Sequence, residues 1–471
     1  MIQKKVLFTH GYFLDEDPKE KTIMRPYPPL GILYLSAYLE EHGIDNDVFD
    51  STFSTIDLLK QYLLKERPDI IGIYTNLMTK INVLKIIEFI KEEQHHLQTK
   101  IILGGPEVKN HADNFLKYGA DVIVLGEGEE TMLALVRFFC EERAYEELKE
   151  IKSIAYLDQA TNQKHISDSR PLLRQIDLLP MPNRKKINMQ LYFDVWKKHH
   201  GQSVVSLSTM RGCPYTCKWC SRAVYGQTYR RKSAKLGVDE MVYLKTNYDV
   251  DAIWFVDDVF TISHKWLKEF AEEIAIRKVA FPYEIITRAD RLNEEVIDLL
   301  KASGCFRVWI GAESGSQKII DAMDRRVDVN VVREMIQMAQ KKGIQAGTFI
   351  MLGYPGETTA DIEETIHHLK VANPDLYTIT IAYPIKGTPL YEEVEANFTV
   401  FPEWDKGTDR DIDFKRTYNK KFYEYAVRLV YNEVRFHKET LKSNTNYLLL
   451  PYLKAKSYAA RGAMLIERLR S

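Results

Sequence analysis

The sequence predicts an α/β chain in three parts: a doubly wound parallel sheet, a partial (β/α)6 barrel and a helical C-terminal region. Three observations predict it. Short, continuously apolar strands alternate with helical segments as far as Cys140. Six further strand-like runs recur between Val204 and Ala382, separated by helical spacing. Two long helical stretches, 422–440 and 447–469, then follow without strands. At 471 residues the chain is long for one domain of roughly 150 residues.

In the first unit, residues 1–148, Val6-Leu7-Phe8 forms a short buried strand. Pro28-Pro29-Leu30-Gly31 opens a helix over 32–42, which Gly43 ends. A strand at 47–50 and a helix over 56–65 follow. Asp69-Ile70-Ile71-Gly72-Ile73-Tyr74 is almost wholly apolar, as a strand covered on both faces requires. A helix over 80–91 leads to a strand at 100–103 that ends in Gly104-Gly105-Pro106. The last strand, 121–125, ends in Gly126-Glu127-Gly128-Glu129 before a helix to about Cys140. This alternation gives a parallel sheet of the Rossmann or flavodoxin type. Such sheets bind ligands at the carboxyl ends of their strands. The candidate lip is therefore Thr75-Asn76-Leu77, Gly104-Gly105-Pro106 and Gly126-Glu127-Gly128-Glu129; the same glycines also suit plain tight turns. No G-x-G-x-x-G follows the first strand, which argues against a dinucleotide site.

Residues 149–195 read as a connector, with a small hairpin turning at Asp158–Gln163 and a proline-marked linker at Leu179-Pro180-Met181-Pro182. Over 196–395, strands are expected at 204–208, 252–256, 283–287, 307–310, 348–352 and 378–382. Helices are expected at 238–246, 265–277, 294–302, 331–342 and 360–371. Six repeats are fewer than the eight of a closed barrel, so an open, TIM-like partial barrel fits. Barrels of this kind carry their sites at the C-terminal ends of the strands. There the order places a cysteine loop, Asp257-Asp258, Arg288, Glu313-Ser314-Gly315-Ser316 and the run from Gly353 to Glu357. Five polar stretches at one rim predict one shared site.

The cysteine loop, Arg211-Gly212-Cys213-Pro214-Tyr215-Thr216-Cys217-Lys218-Trp219-Cys220, holds three of the five cysteines at C-x3-C-x2-C spacing. Iron–sulfur clusters are held by thiolates, usually four. Cys213, Cys217 and Cys220 would hold three corners of a four-iron cube and leave one iron open to a small molecule. A structural zinc would need a fourth ligand, and no cysteine or histidine stands nearby. Cys140 and Cys305 read as core residues. Net charge is −1, which gives no global field for nucleic acid or membrane. No run approaches ~18 apolar residues, so no spanning helix is expected. The N-terminus lacks a signal-peptide apolar region. Free clustered cysteines fit a reducing, cytoplasmic setting.

C-x3-C-x2-C with Trp219 before its last cysteine resembles the signature of the radical S-adenosylmethionine (SAM) superfamily. Phe255-Val256-Asp257-Asp258, Thr287-Arg288-Ala289-Asp290, Gly311-Ala312-Glu313-Ser314 and Gly353-Tyr354-Pro355-Gly356 resemble its later blocks. Pro29-Leu30-Gly31, Gly104-Gly105-Pro106 and Gly126-Glu127-Gly128-Glu129 resemble the cobalamin-binding domain fused to one large branch, which includes anaerobic magnesium-protoporphyrin ester cyclases. The D-x-H-x-x-G of many corrinoid domains is absent, and Glu107 stands where many relatives have histidine.

The resemblance implies three cofactors: a [4Fe-4S] cluster on the three cysteines, SAM on its open iron, and cobalamin on the N-terminal lip. For SAM it implies Asp257 or Asp258 at the ammonium, Arg288 at the carboxylate, Glu313 with Ser314 at the ribose, Gly353 and Gly356 near the adenine, and Trp219 alongside. For cobalamin it implies Thr75, Asn76, Gly104, Gly105, Gly126, Glu127 and Gly128. It further implies a small-molecule substrate and an electron donor such as flavodoxin or ferredoxin. The expected reaction is methylation of an unactivated carbon. Radical oxidation or cyclisation, a cobalamin-independent radical SAM enzyme and a non-catalytic carrier stand as alternatives. Residues 396–471 are expected to pack as helices on the barrel or to form a lid facing membrane or lipid.

Overall fold

The computed structural model describes residues 4–158, 161–279 and 281–470. Met1 to Gln3, and Gln159 with Ala160 at the tip of the expected hairpin, lie outside the described residues. The N-terminal unit is a seven-stranded sheet. Its strands are β1 (Val6–His10), β2 (Asp47–Phe49), β3 (Ile70–Tyr74), β4 (Lys100–Gly104), β5 (Val122–Val124), β6 (Ile154–Leu157) and β7 (Lys164–Ile166), in the order β2-β1-β3-β4-β5-β6-β7. The first five are parallel, and the reversal of order falls between β1 and β3. Helices α1 (Pro18–Ile23), α2 (Leu30–Glu41), α3 (Ile56–Glu66), α4 (Lys80–Glu92), α5 (Ala112–Tyr118) and α6 (Glu129–Cys140) belong to this unit. One apolar cluster, with Leu63, Ile87 and Phe115, covers one face; another, with Leu39, Val136 and Phe138, covers the other. Layers on both faces explain why β1 is buried along its whole length.

Two features depart from the sequence reading. The hairpin expected in the connector is β6–β7, which extends the sheet antiparallel from β5. All of β7 is solvent-facing, so no apolar run marks it. Helix α5 lies where no helix was expected; with seven residues it is too short to display a helical period. The connector also contains α7 (Met189–His200), whose Tyr192, Phe193 and Trp196 are buried.

The second unit is a curled sheet of six parallel strands: β8 (Val204–Leu207), β11 (Ala252–Phe255), β12 (Tyr283–Thr287), β13 (Cys305–Glu313), β14 (Gln345–Leu352) and β15 (Leu376–Ile381). They pair strictly in sequence order, and β8 and β15 stay unpaired with each other. The two-residue strands β9 (Met210–Arg211) and β10 (Arg230–Arg231) pair antiparallel and brace the cysteine loop at both ends. Helices α8 (Ala234–Asn247), α9 (His264–Arg277), α10 (Glu294–Ala302), α11 (Gln317–Ala322), α12 (Val329–Lys341) and α13 (Thr359–Ala372) form the outer layer. Their starts are capped locally: Ser233, Ser263 and Asn293 accept from Leu236, Trp266 and Val296 N–H. After α14 (Pro389–Val394) and the short pair β16 (Phe398–Val400) and β17 (Asp413–Phe414), helices α15 (Lys420–Thr440) and α16 (Leu449–Arg470) pack against each other. Phe422, Leu429 and Val434 of α15 join the barrel core.

A buried polar joint fixes the units together. Arg184 of the connector pairs with Glu240 of α8 at 2.8 Å, and Lys232 pairs with Glu240 at 3.1 Å. Lys232 also donates to Tyr34 Oη on α2 at 3.0 Å. Arg184 and Glu240 are wholly buried.

Candidate active site

The C-terminal strand ends of both units open onto one cavity of about 590 Å³. From the N-terminal unit come Pro28 to Gly31, Tyr74, Gly104 to Pro106 and Gly126 to Glu129. From the barrel come Cys213, Cys220, Arg222, Tyr225 and Asp258. Its position follows from the topology: parallel strands end on one edge, and the two edges face each other.

The cysteines sit on a loop that cannot drift. Gly212, at φ +83°, passes so close to Thr228 that a Cβ would lie 2.4 Å from its Oγ1. Arg211 reaches across to the N-terminal unit, donating to Glu127 at 2.8 Å and to Glu129. Arg230 adds a second bond to Glu127 at 2.6 Å. Cys217 is buried, and its sulfur receives Arg288 Nη1 at 3.8 Å and Arg325 Nη1 at 3.7 Å. Two guanidiniums at one sulfur suit a site that will hold concentrated thiolate charge. Nearby protein atoms that exclude water push the thiol of the surface-exposed Cys220 up to about 12, with Asp258 adding to it, and burial raises Cys213 as well. Iron must therefore displace these protons on binding. Among the described residues, no three Cys, His, Asp or Glu side chains form a group that could hold a single metal ion.

The predicted SAM residues separate into two groups. Asp257 is buried and fully engaged. It accepts from Thr209 N at 2.7 Å, Met210 N at 3.0 Å, Ser208 Oγ and Thr209 Oγ1, and pairs with Arg231 at 3.2 Å. Asp258 has no such partners among the described residues and opens into the cavity. Surrounding protein, then Asp257, raise its carboxyl to about 6. Arg288 is not free to grip a carboxylate. Besides Cys217 it bonds Asp290 at 2.8 Å and the Arg325 carbonyl at 2.7 Å, with its guanidinium carbon 3.8 Å from the Tyr215 ring centroid. Ser314 is turned away too, held near Thr365 Oγ1 at 3.3 Å and accepting from Ser316 N. Gly353 and Gly356 form a left-handed turn at φ +80° each. The Gly353 N–H donates to buried Glu357 at 2.6 Å and its carbonyl accepts from Arg416 at 3.1 Å, so its backbone is already satisfied. Glu313 and Trp219 line a separate cavity of about 140 Å³ with Phe349 and Met351. Glu313 occupies a bulge of β13 at φ +67°, a conformation that is strained for a glutamate. Its carboxylate lies 3.9 Å from Arg325, and burial raises its pKa.

The cobalamin lip also divides. Gly104, Gly105, Gly126, Glu127 and Gly128 line the large cavity; Thr75 and Asn76 do not. Asn76 Oδ1 accepts from Met78 N and Thr79 N to start α4, and Thr75 is buried beneath Gly105. A Cβ on Gly105 would strike the Thr75 carbonyl at 2.3 Å. At Gly31 and Gly104 it would meet only ordinary contacts, at 3.7 and 3.8 Å. These two glycines leave room over the strand ends, as a broad flat cofactor requires. The Glu127 carboxylate is spent on Arg211 and Arg230, so its part is to join the units. Sequence reading missed Arg325, Arg211 and the Arg222–Tyr225 loop. Arg325 sits in the charged run Asp324-Arg325-Arg326, which reads as surface; Arg211 was visible as the residue two before Cys213.

Known proteins show the same division. The radical SAM superfamily model matches residues 207–369, and the B12 binding domain model matches 22–136. An uncharacterized methyltransferase of Pyrococcus horikoshii is 30% identical over 407 residues, covering 84% of this chain and 85% of that protein. The anaerobic magnesium-protoporphyrin IX monomethyl ester cyclase of Rubrivivax gelatinosus is 25% identical, covering 84% of this chain and 71% of the cyclase. The fold is that of the cobalamin-dependent SAM radical enzyme OxsB, with a TM-score of 0.75 at 17% identity, covering 98% of this chain and 72% of OxsB. With the cysteine loop, the half barrel and the glycine-edged sheet in place, the chain belongs to the radical SAM superfamily, in the branch that carries a B12-binding domain, and its cofactors are a [4Fe-4S] cluster, SAM and cobalamin.

Proposed function

We propose that this enzyme transfers a methyl group to an unactivated carbon of a small molecule. The observation that carries the reading is the single cavity shared by Cys213, Cys220 and the glycine edges of the N-terminal sheet. When bound, the cluster supplies the electron that cleaves SAM to a 5′-deoxyadenosyl radical, and cobalamin supplies methyl-transfer chemistry.

The chain's own residues position and exclude. Arg288 and Arg325 steady the Cys217 sulfur. Of the three acids lining the cavity, Glu127 and Glu129 are bound to Arg211, which leaves Asp258 to accept from the SAM ammonium. Glu313 and Trp219, in the smaller cavity, offer an acceptor and an aromatic face for the adenosyl group. The Arg211 bridge holds the two cofactor floors at a fixed separation. A low-potential donor such as flavodoxin or ferredoxin supplies electrons, in a reducing compartment.

The test is anaerobic turnover. Protein loaded with iron, sulfide and cobalamin is fed SAM, reductant and extract from its own host. Methyl transfer gives both 5′-deoxyadenosine and S-adenosylhomocysteine, with a product heavier by one methylene. The similarity to the ester cyclase favours a second reading, radical cyclisation. That would give 5′-deoxyadenosine without S-adenosylhomocysteine, and this result would displace methyl transfer.

A further inference from the structure

Helix α16 carries two apolar faces. Projected at about 100° per residue, Leu453, Ala460 and Met464 fall on the face buried against the rest of the molecule. On the opposite side Tyr452, Tyr458, Leu465, Ile466 and Leu469 fall within an arc of about 140°. All five are more than half exposed, Leu469 at 83%. Pro451, Ala455, Ala459 and Gly462 lie between them, and Arg470 falls in line with Tyr452 at one edge. Tyr447 and Leu448, 78% and 87% exposed, continue the stripe ahead of the helix. Folded proteins seldom leave a stripe of this kind uncovered.

Its borders are basic. Lys454, Arg461 and Arg468 run along one edge, Lys456 and Arg470 along the other. The sole acid of the helix, Glu467, is on the buried side. Lys454, Arg461 and Arg470 pair with Glu433, Glu363 and Glu467. Lys456 and Arg468 have no ion pair among the described residues. A second copy of this face would bring basic borders against basic borders, which disfavours self-association. No helix of the described residues is long and apolar enough to cross a membrane. A helix with an aromatic and aliphatic stripe between basic edges is instead suited to lie in the plane of a bilayer surface.

We propose that the outer face of α16 docks this enzyme on an anionic lipid bilayer. The stripe enters the headgroup boundary, with tyrosines at the depth that such rings favour, and Lys456 and Arg468 meet lipid phosphates. The helix is about 33 Å long, so the contact is one shallow line rather than a span.

Flotation of the cofactor-loaded full chain tests this. The probes are vesicles of phosphatidylcholine alone and of phosphatidylcholine with about one-third phosphatidylglycerol. Each basic residue near an anionic surface is worth about fivefold in partition. The two cations without ion pairs therefore predict about 25-fold more binding to the anionic vesicles, declining with salt. Lys456→Glu with Arg468→Glu removes that preference. Ile466→Ser with Leu469→Ser lowers binding to anionic vesicles at least about tenfold. Both pairs are exposed, and an unchanged melting temperature confirms that the fold survives. Equal or absent binding of the wild type to the two vesicle types overturns the proposal even if the variants aggregate. So does a concentration-dependent dimer by light scattering that the Ile466/Leu469 variant abolishes.

Discussion

Neighbouring acids with one chemistry have opposite duties here. Asp257 is locked into a buried network that shapes the turn before the cysteine loop, whereas Asp258 faces the cavity. Removing one partner of a buried ion pair typically costs about 3–5 kcal/mol. Asp257→Ala is therefore expected to lose about that much stability in urea titrations. Asp258→Ala should stay within about 0.5 kcal/mol of wild type. On its proposed role it should still weaken SAM binding about tenfold or more, the loss of one charged hydrogen bond. Glu357 gives a pH prediction. Burial pushes its carboxyl up from 4.5 to about 8, and one oxygen has no hydrogen-bond partner. The folded chain then keeps a proton that the unfolded chain releases. Stability is fully present below about pH 4.5 and is lost as pH rises towards about 8. Glu357→Gln should flatten this slope and raise the melting temperature at pH 9 (roughly, one unit above that midpoint) while changing little near pH 5 (roughly, close to the unfolded value). These distinctions were not legible in the sequence. Adjacent aspartates at a strand end look alike until the fold shows which of them turns inward.

At the scale of elements, spacing predicted most of the architecture. All six barrel strands and five of the six helices described between them stand where apolar periodicity put them; α11, six residues long, is too short to show a period and was not expected. The cysteine loop was legible for another reason: its three cysteines fall within eight residues of chain. Its anchor was not. Arg211 finds its acids on the loop before α6 and at the first residue of that helix, a contact that no local pattern encodes. Arg211→Ala would leave Glu127 and Glu129 buried with less compensation. The expected outcome is a loss of about 3–5 kcal/mol and a lower iron content after reconstitution, measured by iron assay against wild type. Cys217→Ala should lower iron content with no comparable loss of stability, which separates ligand from brace.

For the whole molecule, the comparison of interest is where the N-terminal unit ends. The sequence places a boundary near residue 148, yet β6 and β7 complete the sheet beyond it. A fragment ending at residue 148 would expose the edge of β5, and exposed edges invite aggregation. A fragment ending at Asp168, whose carbonyl accepts from Ser153 N–H at 2.8 Å, keeps that edge covered. The longer fragment is expected to be the more soluble and to melt at the higher temperature by circular dichroism. The hairpin's turn was legible, but its place at the edge of the sheet was not, because pairing order is a property of the assembled sheet and β7 has no buried face.

The bridge from Arg211 to Glu127 and Glu129 spans 84 and 82 residues of chain. Both acids leave the ribosome before the arginine does. Domains tend to fold as units from the N-terminus during synthesis. The acidic cup is therefore ready before the loop that fills it is made, and the cysteines close against a finished wall. Assembly of this joint therefore has a direction, from the N-terminal sheet to the cysteine loop.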